Sequence, residues 1–155
     1  MEPLQRLTRR QLDTLQAVAA CESTERGAPL NRIAARLRMS APSALGHLTP
    51  LEGLGLVSRY RGKSRLTDRG RTTVREYQRH HRVAETLFGN LGLTPAETCA
   101  AAHEIDLAIS HRTVNEICRA EEHPTECPHG EPIPACEGSS ETTVDRRGHE
   151  PHAHP

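Results

Sequence analysis

Apolar residues recur along this chain at two periods, three to four residues over most of its length and two in one short stretch. Leu12, Leu15, Val18 and Ala19 follow one another at helical spacing after "LTRRQ" and stop at "ESTERGAP", with its Gly and Pro, which predicts a first helix. "PLNRIAARLRM" predicts a short second helix. Ser40 is placed to cap a third over "APSALGHLTPLEGLG", ending at Gly53 or Gly55. Two short helices joined by a tight turn make a helix-turn-helix. The period then shortens: "LVSRYRGKSRLT" gives extended runs at 56–60 and 65–67 around "RGKS", with Gly62 supplying the turn, so a hairpin stands where a wing would.

Helical spacing returns in "TDRGRTTVREYQRHHRVAETLFGNLG", a long helix whose apolar stripe includes Val83, Leu87 and Leu91 and whose end is marked by Gly89 and Gly92. "LTPAE" opens another helix, with Pro95 in its first turn, that runs on through "TCAAAHEIDLAIS". "HRTVNEICRAEE" gives a last helix before Pro124. "CPHGEPIPAC" is Pro-rich and non-helical, and 137–155 is polar, acidic and His-bearing, expected to be disordered. The expected fold is mainly α, with a winged helix-turn-helix over 1–72, a helical domain over 73–136 and a tail over 137–155. There is no internal repeat.

Composition sharpens this picture. The aromatics are Phe88, Tyr60 and Tyr77, with no Trp, so the core is built from Leu, Ile, Val and Ala, which favours helices. A net charge of zero hides a split: 1–75 holds 14 Lys and Arg against 6 Asp and Glu, whereas 76–155 holds 6 against 14. The first half suits a polyanion and the second suits cations. No apolar run approaches a bilayer span and "MEPLQRLTRRQ" lacks a signal-peptide block, so the expectation is cytoplasmic, without a membrane partner. Five cysteines, an odd number without an export signal, argue against a disulfide framework and for thiols that are buried, metal-bound or redox-active.

Double-stranded DNA is the polyanion the first half fits. The second helix of a helix-turn-helix presents its N-terminal residues to base edges in the major groove. Here these are Ser40, Pro42 and Ser43, with His47 further on, small groups suited to close contacts such as thymine methyls. Phosphates would be met by Arg32, Arg36 and Arg38 and by the hairpin cations Arg59, Arg61, Lys63 and Arg65.

The second half carries metal-ligand chemistry. Cys99, His103 and Asp106 are spaced i, i+4, i+7, within roughly a 60° arc of a helix, beside an apolar arc of Ala101, Ala102, Ile105, Ala108 and Ile109. His81 and Glu85 repeat the i, i+4 spacing on the long helix. Two antiparallel helices with two donors each can surround one ion. Sulfur, nitrogen and oxygen donors together suit a divalent transition metal, with zinc, nickel, iron or cobalt ranked above manganese.

The order of these features, with "RHHRVAETLFGNLGL", a ligand-bearing helix ending "AIS" and then "CPHGEPIP", resembles the metal-dependent repressors typified by the diphtheria toxin repressor and the manganese transport regulators. The resemblance covers about residues 5–135. It implies a homodimer formed through the second half, making that half a metal-binding and dimerisation domain, and metal-dependent repression of metal-uptake genes from a palindromic operator. By position, His81 and Glu85 match two family ligands, Cys99 stands for a histidine of the same site, His103 for a cysteine or glutamate, and Asp106 for a glutamate. The chain departs further at Arg10, where the first helix would supply a methionine or aspartate, and at Leu107, the place of a histidine ligand. Asp13, one turn on from Arg10, coincides with a glutamate ligand of the manganese type.

Other readings give different expectations. A thiol or iron–sulfur redox regulator would use Cys99, Cys118, Cys127 or Cys136. A metal-dependent hydrolase would need an open coordination position and a general base, and no such base is evident, so no enzyme activity is expected. Cys21 and Cys118 read as small core residues, and His80 and His111 as exposed or supporting groups. Cys127 and Cys136 flank a Pro-rich strap. His149, His152 and His154 in the tail are either incidental or scavengers of the same metals.

Overall fold

The structure, a computed structural model, describes residues 4–22 and 27–135; Cys136 and the tail histidines expected at 149, 152 and 154 lie outside these residues. A short 3-10 turn, Leu4–Arg6, leads into α1, Arg9–Cys21, then β1, Ala28–Pro29, α2, Leu30–Arg36, and α3, Ala41–Gly53. The hairpin strands β2, Val57–Tyr60, and β3, Lys63–Leu66, precede α4, Asp68–Asn90, α5, Pro95–Ile105, and α6, His111–Ala120. The architecture is mainly helical with one small antiparallel sheet of order β1-β3-β2.

Local chemistry explains the boundaries. Thr8 and Gln11 form a capping box at the start of α1, Thr8 N donating to Gln11 Oε1 at 2.9 Å and Gln11 N to Thr8 Oγ1 at 3.2 Å. Ser40 caps α3, accepting from Ser43 N at 3.3 Å. The hairpin is tighter than the expected four-residue "RGKS" loop. Arg61 and Gly62 both take positive φ, 48° and 74°, so Tyr60 pairs with Lys63 across a two-residue turn. Leu91, expected on the buried stripe of α4, is its C-cap and is 68% exposed. Gly89, expected at the frayed end, lies inside the last turn of α4, where Pro128 rests against it. Among the described residues no helix is long and apolar enough to cross a membrane.

The first three helices and the sheet enclose one core, which includes Leu15, Val18, Ile33, Leu48, Leu51 and Leu56, and Val74 of α4 reaches into it. A smaller cluster joins Leu4 and Leu12 to Tyr77, with Leu107 packed against it. Farther along α4, Val83 packs with Val114 and Cys118 of α6 and with Ile133 of the strap. α4 is thus one continuous rod through both halves.

Its entry is sterically tight. Thr67 caps α4 by accepting from Gly70 N at 3.0 Å while donating its hydroxyl to Gly55 O at 2.7 Å. A Cβ on Gly70 would lie 2.1 Å from the carbonyl oxygen of Leu56, so only glycine admits this crossing. Gly70→Ala is therefore expected to destabilise the fold by about 2 kcal/mol, the scale of overpacking a tight core, read as a lower urea midpoint; an unchanged midpoint would contradict the packing described.

Candidate metal centre

The donors are brought together by helix packing. α5 starts at a Thr94–Glu97 capping box, Thr94 N donating to Glu97 Oε2 at 2.8 Å, with Pro95 in its first turn. Ala84 on α4 and Ala102 on α5 are fully buried, and residues this small let neighbouring backbones come close. α5 ends at Ile105, earlier than the helix expected from the sequence. Asp106 is its C-cap but stays in the right-handed helical region, at φ −60° and ψ −25°, so it keeps the side of the helix shared by Cys99 and His103.

His81 is the hub of the site. Its Nε2 lies 3.1 Å from Glu85 Oε1 and 3.7 Å from Cys99 Sγ, and its Nδ1 lies 2.9 Å from Asp106 Oδ2. The His81 and His103 rings sit 4.5 Å apart, and His103 Nδ1 is 3.4 Å from Asp106 Oδ2. His81, Cys99 and His103 each offer one ligand atom within 4.8 Å of the others.

The strap supplies a second group that the sequence reading missed. The segment after α6 closes on itself through Cys127 N to Glu131 O, 2.9 Å, and Gly130 N to Cys127 O, 2.8 Å, with Gly130 at φ 76°. That turn brings His129 Nδ1 to 3.2 Å from Glu85 Oε1 and, with Cys127, makes a second cluster of donors within 4.8 Å. Glu85, 3% exposed, belongs to the reach of both clusters. Bonds of about 2.0–2.3 Å place donors on one tetrahedral ion roughly 3.2–3.8 Å apart. The separations around His81 Nε2 and Glu85 Oε1, 3.1, 3.2 and 3.7 Å, lie in or within 0.1 Å of that range, so the donor set fits a divalent metal. The spacing of Cys127 and His129 in "CPHG" was the available signal, but nothing local says which helix a strap will return to.

Asp106, expected as a ligand, is fully buried against a cation of the protein itself. Arg9 of α1 pairs with its Oδ1, places Nη1 3.4 Å from Oδ2, and donates to His103 O at 2.7 Å and Tyr77 Oη at 3.2 Å. Burial alone would raise the Asp106 carboxyl, but hydrogen bonds from His81 and Arg9 and the guanidinium charge outweigh it and hold it below the usual carboxylate range. Asp13, also expected as a ligand, is exposed on α1. It lines a shallow depression of about 380 Å³ with Arg10, Thr14, Arg38, Ser43 and His47, and is in no cluster of three donors among the described residues. His80, expected exposed or supporting, is fully buried. Cys118 is buried as expected of a core thiol, and Cys21 is half-buried.

Of the residues expected to face DNA, Arg32, Arg36, Ser40, Pro42, Ser43, Arg61, Lys63 and Arg65 are exposed, while His47 and Arg59 are partly covered. Arg59 Nε is bonded to Glu52 at 2.8 Å, Arg65 Nε lies 3.4 Å from Glu22, and Arg61 lies over the Tyr60 ring at 5.1 Å. Two of the four hairpin cations therefore have internal carboxylate partners.

Burial, then the charge of Glu85, push the Cys99 thiol up, and burial, then the Glu85 hydrogen bond, do the same to Cys127. Both sulfurs carry protons at neutral pH. Burial and the charge of His81 hold His103 below its ordinary value against the pull of Asp106, favouring the neutral imidazole that ligates metals.

Residues 67–135 match the family model described as iron dependent repressor, metal binding and dimerisation domain. Among solved structures, a hypothetical protein from Sulfolobus solfataricus is 28% identical, with 83% of this chain and 100% of that chain covered and a TM-score of 0.76. A manganese-dependent transcriptional repressor in complex with manganese is 31% identical, with 81% of this chain and 58% of that chain covered and a TM-score of 0.66. ScaR with bound cadmium is 27% identical, covering 81% and 59%, with a TM-score of 0.69. The chain thus spans under two thirds of those two regulators. No curated protein sequence matches it.

Because each thiol that binds metal must first release its proton, zinc affinity should rise with pH below the thiol pKa values, about tenfold per unit for each thiolate formed. Competition titrations between pH 6.5 and 7.5 check this, with a slope near two protons expected, reduced by about one in Cys127→Ser. A flat profile would contradict thiolate ligation.

Proposed function

We propose, for a chain whose residues 67–135 match the family model of the iron dependent repressor metal binding and dimerisation domain, that it is a metal-responsive transcriptional repressor binding a palindromic operator as a homodimer and controlling metal-homeostasis genes in the cytoplasm. Residues 1–72 act as a winged helix-turn-helix and 73–136 as the metal-binding and dimerisation half. The observation that carries this reading is that two donor clusters, His81, Cys99 and His103 from α4 and α5 and Glu85, Cys127 and His129 from α4 and the strap, adjoin through Glu85, which lies 3.1 Å from His81 and 3.2 Å from His129, one carboxylate away from α1.

His81, Glu85, Cys99, Cys127 and His129 would hold the ion, with His103 at the margin. A bound divalent ion supplies the positive charge that offsets the thiolates and Glu85. Two thiols and two or three imidazoles favour zinc, nickel, iron or cobalt over manganese more strongly than Cys99 alone did. Asp106 in this reading orients the donors. Its oxygen faces His81 Nδ1, which turns Nε2 toward Glu85 and Cys99, the arrangement by which carboxylates position metal-bound histidines. The same carboxylate anchors Arg9, so the helix that opens the reading head is tied to the donor it orients.

At the DNA face, Ser40, Pro42 and Ser43 meet base edges while Arg32, Arg36, Arg38, Arg61 and Lys63 meet phosphates, with Arg59 and Arg65 contributing once released from Glu52 and Glu22. In a dimer the two recognition helices are to sit about 34 Å apart, one turn of DNA. A hundredfold gain in DNA affinity on metal binding needs a differential of about 2.7 kcal/mol between metal-loaded and metal-free arrangements.

The test is operator binding by fluorescence anisotropy across a series of divalent metals. Zinc, nickel, cobalt or ferrous iron should tighten binding at least tenfold in the parent protein and not in His81→Ala or Cys99→Ala. Arg9→Gln should keep metal affinity within a few fold while weakening the metal effect on DNA. Equal DNA affinity with and without metal in the parent would overturn the reading.

A further inference from the structure

α4 presents a second set of donors on another side. Glu76 and His80 are spaced i, i+4, and around the helix their stripe stands about 140° from that of His81 and Glu85. His111, the first residue of α6, closes the set. Glu76 Oε1 lies 3.9 Å from His80 Nε2 and 3.9 Å from His111 Nδ1. The two imidazoles lie 5.8 Å apart at 28°, and one ligand atom from each of the three residues falls within 4.8 Å of the others.

We infer that Glu76, His80 and His111 form a second, thiol-free site for a divalent transition metal in each subunit, between α4 and α6. Two histidines and one carboxylate are a donor set that suits zinc, cobalt, nickel or ferrous iron and leaves positions for water. His80 is fully buried, which holds its ring in place, whereas the His111 side chain is 33% exposed, so a hydrated ion has a way in. A cavity of about 240 Å³ borders the set, lined by Thr72, Arg75, Glu76, Arg79, His111 and Pro134, with room for such waters. Arg79 is held by Pro134 O at 2.9 Å and Asn115 Oδ1 at 3.0 Å. The positive charge of Arg75 and Arg79 at its wall, and the lack of a thiolate, make this site the weaker of the two. The proposal does not depend on the DNA-binding reading.

The two sites differ in a way light can read, because cobalt bound by thiolate shows sulfur-to-metal charge transfer and cobalt held by imidazole and carboxylate does not. The full chain is titrated with Co(II), following absorption and free metal together. The first equivalent per subunit should bring charge transfer. A second, bound at least tenfold more weakly, should add ligand-field bands without further charge transfer. His111→Ala and Glu76→Gln should each lose that second equivalent, with the charge transfer of the first kept; Glu76→Gln, nearly isosteric, guards against a folding defect in the other. A second equivalent that adds charge transfer, that is absent from the parent, or that survives both substitutions would overturn the assignment.

Discussion

A buried carboxylate sets the terms for the middle of this molecule. Asp106 has no exposed side-chain surface, and a carboxylate so placed is tolerated only when its oxygens are met by donors or cations. The donors come from different elements: Arg9 from α1, His81 from α4 and His103 from the turn of α5 that Asp106 itself ends. Moving any of these elements away would leave either a buried charge or an unpaired guanidinium. The junction between the two halves is therefore held by charge complementarity as well as by the apolar contact of Leu4, Leu12, Tyr77 and Leu107 beside it.

That junction explains how one rod-like helix can serve two tasks. The first turns of α4 are packed into the N-terminal core, where Gly70 crosses the backbone of Leu56 and Val74 joins Leu15, Val18 and Ile33. Its later turns carry His81 and Glu85 toward α5 and the strap on one side and Glu76 and His80 toward α6 on another. The charge split along the chain follows the same division, with Lys and Arg in excess over 1–75 and Asp and Glu in excess over 76–155.

Much of this was legible in the chain. Helical periodicity located every long element, Ser40 announced the start of α3, and the repeated one-turn spacing of His81 with Glu85 and of Cys99 with His103 put these donors on facing helices. Spacing along a helix is a local property, which is why it could be read. Asp106 shows the limit: its position at i+7 gave the correct side of α5, but its partner lies 97 residues away on α1 and could be found only in three dimensions. The resemblance singles out Arg10 and Asp13 on that helix, yet one step of about 100° from Arg10 turns Arg9 inward and leaves Arg10 exposed. The meeting of Cys127 and His129 with Glu85 stayed hidden for the same reason, since a Pro-rich strap has no period and its return to α4 is decided by tertiary packing against Gly89 and Arg82. The hairpin was placed correctly and its turn drawn too wide, because Arg61 gives no sequence signal for positive φ.

In the proposed metal centre, thiols from α5 and the strap share one cation with imidazoles of α4 and the strap and a carboxylate of α4. X-ray absorption at the metal edge, on protein loaded with one equivalent of zinc, reads those neighbours directly. A shell with two sulfurs at about 2.3 Å beside nitrogen or oxygen at about 2.0–2.1 Å is the expected result, and a shell of nitrogen and oxygen alone would contradict it.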